Sequence, residues 1–576
     1  MHKKISLTVI VLFVGIIMVI PPVFSNSYPS YSDDKREIRN VIVLVPDGCS
    51  LSIQTVARWY KGGELNLDSI QRGSISTWAA DSVITDSASA ATAIATGHKT
   101  DDKFISVGPK STPVLTGFTP TAEPYVPLAT VLEGAKLDGK ATGLVATSTV
   151  SHATPAGFAA HTPYRDQETE ITKQLVYQGI DVVFGGGFQN LINKTETYTT
   201  SFGAKWKGAR DDIRAAGDNL YKTLLDRGYQ FVDSRNGMLS LNSGKAWGLF
   251  ANGFMQADIN RQYMGATQPS IAEMTAKAIE LLSKDKDGFF LVVEGSQVDW
   301  GDHYCDVAWS VGDFLAFDNA VGVALDFAQK DGKTLVMAFP DHNTGGLTIG
   351  NYYEATNKIG HEYTATTLED VANPLKGMKI TAAALTAILT GVTDNTDIKA
   401  IFKEWWNLDI TDTDISAMKT GSTINNFTKI GEYIDKTYTV FGWTTAGHTG
   451  DDVPLWAYGP MHNTPVGHYD NTDFAKIIAE ILDFKLIETQ NKLFVKVSDV
   501  FKSSEWAIDL TDSKNPVLEI NYGGVAATLP ASEDILKLRW NGESTTYMLE
   551  GLVIYCPDIM NVFIPIEAIN LIISAG

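Results

Sequence analysis

Acidic and imidazole side chains recur at the ends of apolar runs in this sequence. Asp47 closes NVIVLVPDG (40–48), Glu294 closes GFFLVVEG (288–295), and the adjacent Asp341 and His342 close TLVMAFPDH (334–342). Asp299 and His303 stand four residues apart, a spacing that brings both side chains to one face of a helix. His448 occupies a Gly-Thr loop, TTAGHTGDD, ahead of the apolar segment VPLWAYGP. Singly, each has an ordinary explanation: strand-end carboxylates form turns, an i,i+4 pair decorates a surface, and a loop histidine is solvated. Gathered at successive ends of one sheet, oxygen and nitrogen ligands without thiolates suit zinc, and an oxygen-rich neighbour suits magnesium.

A second feature is VITDSASAATAIATGHKT (83–100). Val83 and Ile84 are expected to end a buried strand and Ala88 to Ala95 to begin a buried helix, which places Asp86 and Ser87 at the junction. A serine there meets free backbone N–H groups and the positive end of a helix dipole. An ordinary N-cap and an anion-binding nucleophile both fit that position.

The elements that must position these residues follow from periodicity. Between about residues 38 and 485, apolar runs such as ATGLVATS (141–148) and IDVVFGGG (180–187) alternate with 3.6-residue patterns such as IAEMTAKAIELLS (271–283) and AFDNAVGVALDFAQK (316–330). This alternation predicts an α/β fold, a largely parallel central sheet with helices on both faces and active groups at strand C-terminal ends. Residues 346–440 interrupt the pattern with helical stretches, as an insertion expected to form a lid or crown, in which Trp405 and Trp406 are expected to pack its core. From 487 to 576, short runs including KLFVKVSDVF, PVLEINYGG, LKLRW and VFIPIEAINLI predict a small β-rich accessory domain that binds a partner or the cell envelope, or stabilises the chain.

Lys3 and Lys4 followed by an apolar run to Ile20 read as an export signal over residues 1–25. The chain is therefore expected outside the cytoplasm: secreted, periplasmic or at the cell surface. An uncleaved segment would tether it to a membrane. With 46 Lys plus Arg against 67 Asp plus Glu, the net charge of −21 repels nucleic acid, and no nucleic-acid partner is expected. Three distant cysteines, Cys49, Cys305 and Cys556, cannot form a disulfide framework and are expected to be buried and free.

The order of these motifs resembles the alkaline phosphatase family over about residues 38–485. TDSASAATA is similar to the family's nucleophile motif, which implies that Ser87 becomes phosphorylated. The resemblance implies that Asp47, Asp341 and His342 hold one zinc, and that Asp299, His303 and His448 hold a second. It implies that Asp47, Thr154 and Glu294 hold a third metal, usually magnesium. Arg165, in SHATPAGFAAHTPYR, resembles the arginine that grips the phosphoryl group. A small-molecule phosphate monoester is the implied substrate and a homodimer the implied assembly.

Two positions depart from the best-known enterobacterial pattern: His152 stands where that type has Asp, and Trp300 where it has Lys. An imidazole near the third metal favours softer ions, zinc or cobalt, and makes His152 a further metal candidate. His161, His361, His462 and His468 are assigned no role. DSASA lacks the Pro and Arg of a sulfatase motif, and TDSA does not match the Thr surroundings of the related phosphodiesterases. The rival readings are such a diesterase and an exported scaffold or binding protein with a vestigial phosphatase core.

Overall fold

The computed structural model describes residues 38–576 apart from 111–114, 116, 212–218, 266, 351–366, 422 and 461–463. The segment expected to direct export (1–25), His361 and His462 lie outside the described residues.

Ten strands form the central sheet: β1 (Asn40–Pro46), β2 (Gln71–Ser76), β3 (Ala141–Thr149), β4 (Val182–Gly186), β5 (Gln230–Val232), β6 (Ala246–Leu249), β7 (Phe289–Gly295), β8 (Thr334–Ala338), β9 (Val453–Tyr458) and β10 (Gly467–Asp470). Their spatial order is β10-β2-β9-β8-β1-β7-β3-β4-β6-β5. All pairs are parallel except those made by β9, which runs against both its neighbours. The central strands β1, β3, β7 and β8 are buried at every residue. That explains their nearly continuous Val, Ile, Leu and Phe content: both faces are covered, so alternation with polar residues disappears.

This topology determines where the polar residues go. Asp47, Glu294, Asp341-His342 and His152-Thr154 end or follow β1, β7, β8 and β3, four adjacent strands pointing the same way. Because β9 is reversed, His448, just ahead of it, reaches the same edge of the sheet.

The helices that matter for that edge are α1 (Leu51–Lys61), α2 (Ser87–Thr96), α3 (Glu168–Gln178), α4 (Gln297–His303), α5 (Val307–Asp331) and α6 (Phe427–Tyr438). Every residue of α2 is buried, which its run of Ala, Ser and Thr permits by letting neighbouring backbone approach closely. The expected strand before it is absent. Residues 83 and 84 lie in a loop with Val83 64% and Ile84 43% exposed, so β-branched composition there reflects no sheet partner.

The 346–440 segment is closed at its base by a short ladder in which Thr348–Ile349 pairs antiparallel with Phe441–Gly442. Its described residues are mostly helical and share a core with α1 and α5. Trp406 is fully buried, its Nε1 donating to Ile380 O at 2.7 Å, and Trp405 packs against the same core.

In the C-terminal region, Trp506–Asp509, Val517–Tyr522, Val525–Pro530, Ile535–Trp540 and Glu543–Met548 form a five-stranded antiparallel sheet. Leu518, Ile520, Leu529 and Leu536 make its own core with Ile569 and Ile572. Those last two lie on a helix, α7 (Ile566–Ala575), where a strand was expected; only Asn561–Ile564 of that run is extended. Similarly, in KLFVKVSDVF only Val495–Lys496 pairs as a strand before a helical turn over Val497–Val500. This region packs against the preceding part of the chain through the buried pair Lys173 Nζ–Glu533 Oε1 at 3.2 Å and an Arg227–Asp534 ion pair. All three cysteines are free and buried. No helix among the described residues is long and apolar enough to cross a membrane.

Candidate active site and metal centre

Asp86 caps α2, its carboxylate accepting from Ser89 N at 3.0 Å, and Ser87 is the first helical residue. The cap fixes the serine's direction: Ser87 Oγ lies 3.2 Å from His342 Nε2. Both ordinary capping and a site residue are thus realised, but by different side chains. Asp86 caps, and Ser87 faces the cluster.

Three histidines converge on that cluster with their tautomers fixed. His303 Nδ1 is 2.7 Å from Ala446 O, and His448 Nδ1 is 2.8 Å from Thr85 O. A carbonyl only accepts, so each Nδ1 donates, and in the neutral ring each Nε2 presents a lone pair to the cluster. Yet the two Nε2 atoms face each other at 3.2 Å, with Asp299 Oδ2 3.4 Å from His303 Nε2 and Oδ1 3.8 Å from His448 Nε2. Two lone pairs beside a carboxylate repel unless a cation lies among them. The ring of His342 stacks on that of His448 at 3.7 Å between centroids, and its Nε2 is 3.3 Å from Asp341 Oδ2 and 3.5 Å from Asp47 Oδ1.

The carboxylates give the same indication. Asp47, Glu294 and Asp341 are fully buried, and Asp47 Oδ1 and Oδ2, Asp341 Oδ2, Glu294 Oε1 and Thr154 Oγ1 have no hydrogen bond of normal geometry. Burial, with Asp341, Asp299 and Glu294 nearby, pushes Asp47 well above the usual carboxylate range, and burial raises Asp341. Burial raises Glu294 to about 7, with Ser148 Oγ donating to its Oε2 at 3.1 Å. Burial and the neighbouring His448 push His342 well below the usual imidazole value, keeping it neutral. Crowded carboxylates beside neutral imidazoles are the donor set a divalent cation relieves. Three groups have ligand atoms close enough to share an ion: Asp47, Asp341 and His342; Asp299, His342 and His448; and Asp47, His152 and Glu294. The residues present therefore fit metal binding.

Two close approaches hold the ligands in place. Gly48 has φ +70°, and a Cβ there would sit 2.6 Å from Asp299 Oδ1. On α6, a Cβ on Gly431 would meet Cys305 O at 2.5 Å and Tyr304 O at 2.6 Å, so the insertion packs directly on the chain leaving His303.

Arg165 donates from Nη1 to Asp86 Oδ2 at 2.8 Å. Burial works against the Asp86 charge, but Arg165 and the Ser89 bonds outweigh it and hold the carboxyl at about 2. Arg165 Nη2 is 3.3 Å from His152 Nε2. A guanidinium only donates, so His152 Nε2 accepts and the ring's proton sits on Nδ1, 3.9 Å from Glu294 Oε1. Burial, then the Arg165 charge, lowers His152 to about 3, and the ring is neutral.

Thr344 is the site residue that sequence reasoning missed. Its Oγ1 donates to Asp299 Oδ1 at 2.6 Å and lies 3.2 Å from His342 Nδ1, from which it accepts. One hydroxyl thus ties ligands of two clusters together. Its only sequence signal is its place two residues after His342, in DHNTGG. Of the unassigned histidines, His161 is buried between Glu133 Oε1, at 3.0 Å, and Ser106 O, at 2.9 Å, and His468 bonds Ser74 Oγ at 3.0 Å. Both are satisfied structurally.

Ser87, Arg165, Trp300, His303 and His448 line one open cleft of about 390 Å³. A serine, an arginine and buried metal-ligand clusters at the C-terminal edge of a doubly covered sheet define a metallohydrolase. The family model for alkaline phosphatase matches residues 38–484. Alkaline phosphatase 3 of Bacillus subtilis is 33% identical over 489 residues, covering 80% of this chain and 94% of that protein. The crystal structure of a cold-active alkaline phosphatase from a psychrophilic Shewanella species superposes with a TM-score of 0.63 at 27% identity, covering 77% of this chain and 99% of that one. A histidine-to-aspartate mutant of the TAB5 alkaline phosphatase, with magnesium bound in its M3 site, superposes with a TM-score of 0.53 at 25% identity, covering 78% of this chain and 99% of that one. The chain belongs to the alkaline phosphatase family and is a phosphatase.

Proposed function

We propose that the chain hydrolyses phosphate monoesters through a phosphoserine on Ser87, with two zinc ions and a third metal as cofactors. The observation that carries this reading is the convergence of three Nε2 lone pairs and three carboxylates beside one serine hydroxyl. Asp47, Asp341 and His342 would hold one zinc, Asp299, His303 and His448 the other, and Asp47, Thr154 and Glu294 the third metal. Cations there would stabilise negative charge on the entering and leaving oxygens.

The chain's own residues do the rest. Ser87 Oγ forms a bond to phosphorus as the ester oxygen departs with the alcohol. Water then displaces the serine, releasing inorganic phosphate and restoring the hydroxyl. Arg165 binds phosphoryl oxygens through its planar fork, and Asp86 holds one edge of it in a fixed direction. His152 keeps its Nε2 toward Arg165, which leaves Nδ1 3.9 Å from Glu294 Oε1 with no hydrogen bond between them. Oxygen ligands then dominate the third site, which favours magnesium over zinc or cobalt there.

Residues 38–485 form the catalytic part, 346–440 an insertion that buttresses the His303 turn, and 487–576 an accessory region with a stabilising role. Its buried ion pairs to Lys173 and Arg227 support that role. Export directed by residues 1–25 and a homodimeric assembly complete the reading.

The test uses the full chain stripped of metal with a chelator and titrated with zinc and magnesium. The reading expects p-nitrophenyl phosphate turnover to return as bound zinc approaches about two per chain. Turnover that survives complete metal removal overturns it.

A further inference from the structure

Phe254 combines a held backbone with an open side chain. It lies in the loop after β6, and both its neighbours are tied to the sheet edge. Gly187 N donates to Gly253 O at 2.7 Å, Met255 N donates to Thr147 O at 3.2 Å, and the buried Gln297 donates from Nε2 to Met255 O at 2.7 Å. The ring is nonetheless 64% exposed. Its partner is Trp300, edge to face at 4.9 Å between centroids. Trp300 in turn meets His152 edge to face at 6.0 Å and lines the cleft that holds Ser87 and Arg165.

A phenylalanine left mostly in water adds little to the core. Clamping its main chain on both sides restrains where the ring stands, and the ring stands one aromatic contact away from a tryptophan in the reaction cleft. Trp300 also lies on α4 between Asp299 and His303. Trp300 lines the Ser87 cleft, and Phe254 stands one ring beyond it.

We infer that Phe254 and Trp300 form a subsite for a flat ring carried by the leaving group, selecting nucleoside 5′-monophosphates over monoesters of small aliphatic alcohols. A nucleoside places its base several ångströms from phosphorus, which suits a ring separated from the reaction cleft by Trp300. Stacking on aromatic faces accepts any base, so the subsite selects for a ring and not for its identity. Open aromatic surface at the cleft mouth also gains more from covering a ring than from an aliphatic alcohol of two or three carbons. This inference rests on the monoesterase reading above and names the substrate class for that same site.

The test compares adenosine 5′-monophosphate with glycerol 1-phosphate, two esters of primary alcohols that differ in the ring. The ratio of their kcat/KM values is measured for the metal-loaded unaltered chain, Phe254→Leu and Phe254→Tyr. The inference expects the ratio to favour the nucleotide in the unaltered chain. It expects the ratio to fall about tenfold in Phe254→Leu, equivalent to about 1.4 kcal/mol, and to be kept in Phe254→Tyr. Because a ratio is read, a general loss of activity from misplaced metal or a damaged fold leaves it unmoved. Glycerol 1-phosphate hydrolysis with an unchanged ratio in Phe254→Leu overturns the inference alone, as does an equal fall in both variants. Failure of the unaltered chain to hydrolyse either ester overturns this inference and the monoesterase reading together.

Discussion

Ser87 Oγ and His342 Nε2 lie 3.2 Å apart although 255 positions separate them in the chain. The contact is made because two independent elements end at one edge: a helix capped by Asp86 begins there, and β8 delivers Asp341 and His342 there. His342 Nδ1 is engaged by Thr344, so its Nε2 faces the hydroxyl as a lone pair. Burial lowers His342 as a base, so the imidazole alone activates the serine weakly, and the surrounding carboxylates offer a site for a cation.

The Thr344 hydroxyl orients His342 and restrains Asp299 at once. Thr344→Val keeps the volume and removes both bonds. Zinc affinity, measured by competition with a chromophoric chelator, is expected to fall about 10- to 100-fold while the fold persists. Unchanged affinity would show that the ligands are oriented by other contacts.

In metal-free protein burial raises the Asp47, Asp341 and Glu294 carboxyls, and Glu294, at about 7, still holds protons near neutrality. The lowered His342 and His152 are already neutral there and release none. Cation uptake must expel the carboxyl protons, so apparent metal affinity rises with pH through about 7 and flattens above it. Proton release per zinc bound, followed in weakly buffered solution, is expected to be larger at about pH 6 than at about pH 9. The opposite order would contradict these carboxyls as ligands.

Arg165 holds Asp86 with one guanidinium nitrogen and faces His152 with another. Arg165→Lys keeps the charge but not the fork. One charge-assisted hydrogen bond lost corresponds to about 1.5–3 kcal/mol, so competitive inhibition by inorganic phosphate is expected to weaken by about 10- to 150-fold. Equal inhibition of the two proteins would remove Arg165 from phosphoryl binding.

His152 Nδ1 stands 3.9 Å from Glu294 Oε1, where an aspartate would place an oxygen. His152→Asp supplies an oxygen donor near Asp47 and Glu294, and magnesium retained after gel filtration is expected to rise towards about one per chain. Retention no greater than in the unaltered chain would place the third metal elsewhere.

Much of this site was legible before any coordinates. Asp47, Glu294, Asp341 and His342 stand out because the strands before them are largely apolar, as the strands of a doubly covered sheet are. Asp299 and His303 follow from helical spacing. What could not be read is whatever depends on a partner distant in sequence. Val83 and Ile84 have strand-forming side chains but no neighbouring strand. IEAINLII is too short and too rich in Ile and Leu for its pattern to distinguish helix from strand, and packing over the C-terminal sheet selects the helix. Thr344 matters only because β8 and α4 bring Asp299 beside it, and the histidine tautomers depend on Ala446 O and Thr85 O, carbonyls with no side-chain signature.

The most direct test of the account is identification of the phosphorylated residue. The metal-loaded chain is incubated with a labelled phosphate monoester, quenched in acid and mapped by peptide mass spectrometry, alongside Ser87→Ala with its metal content measured. The account predicts a phosphate ester on Ser87 alone, absent from a Ser87→Ala protein that still binds its metals. Label on another residue, or undiminished turnover by Ser87→Ala, would contradict it.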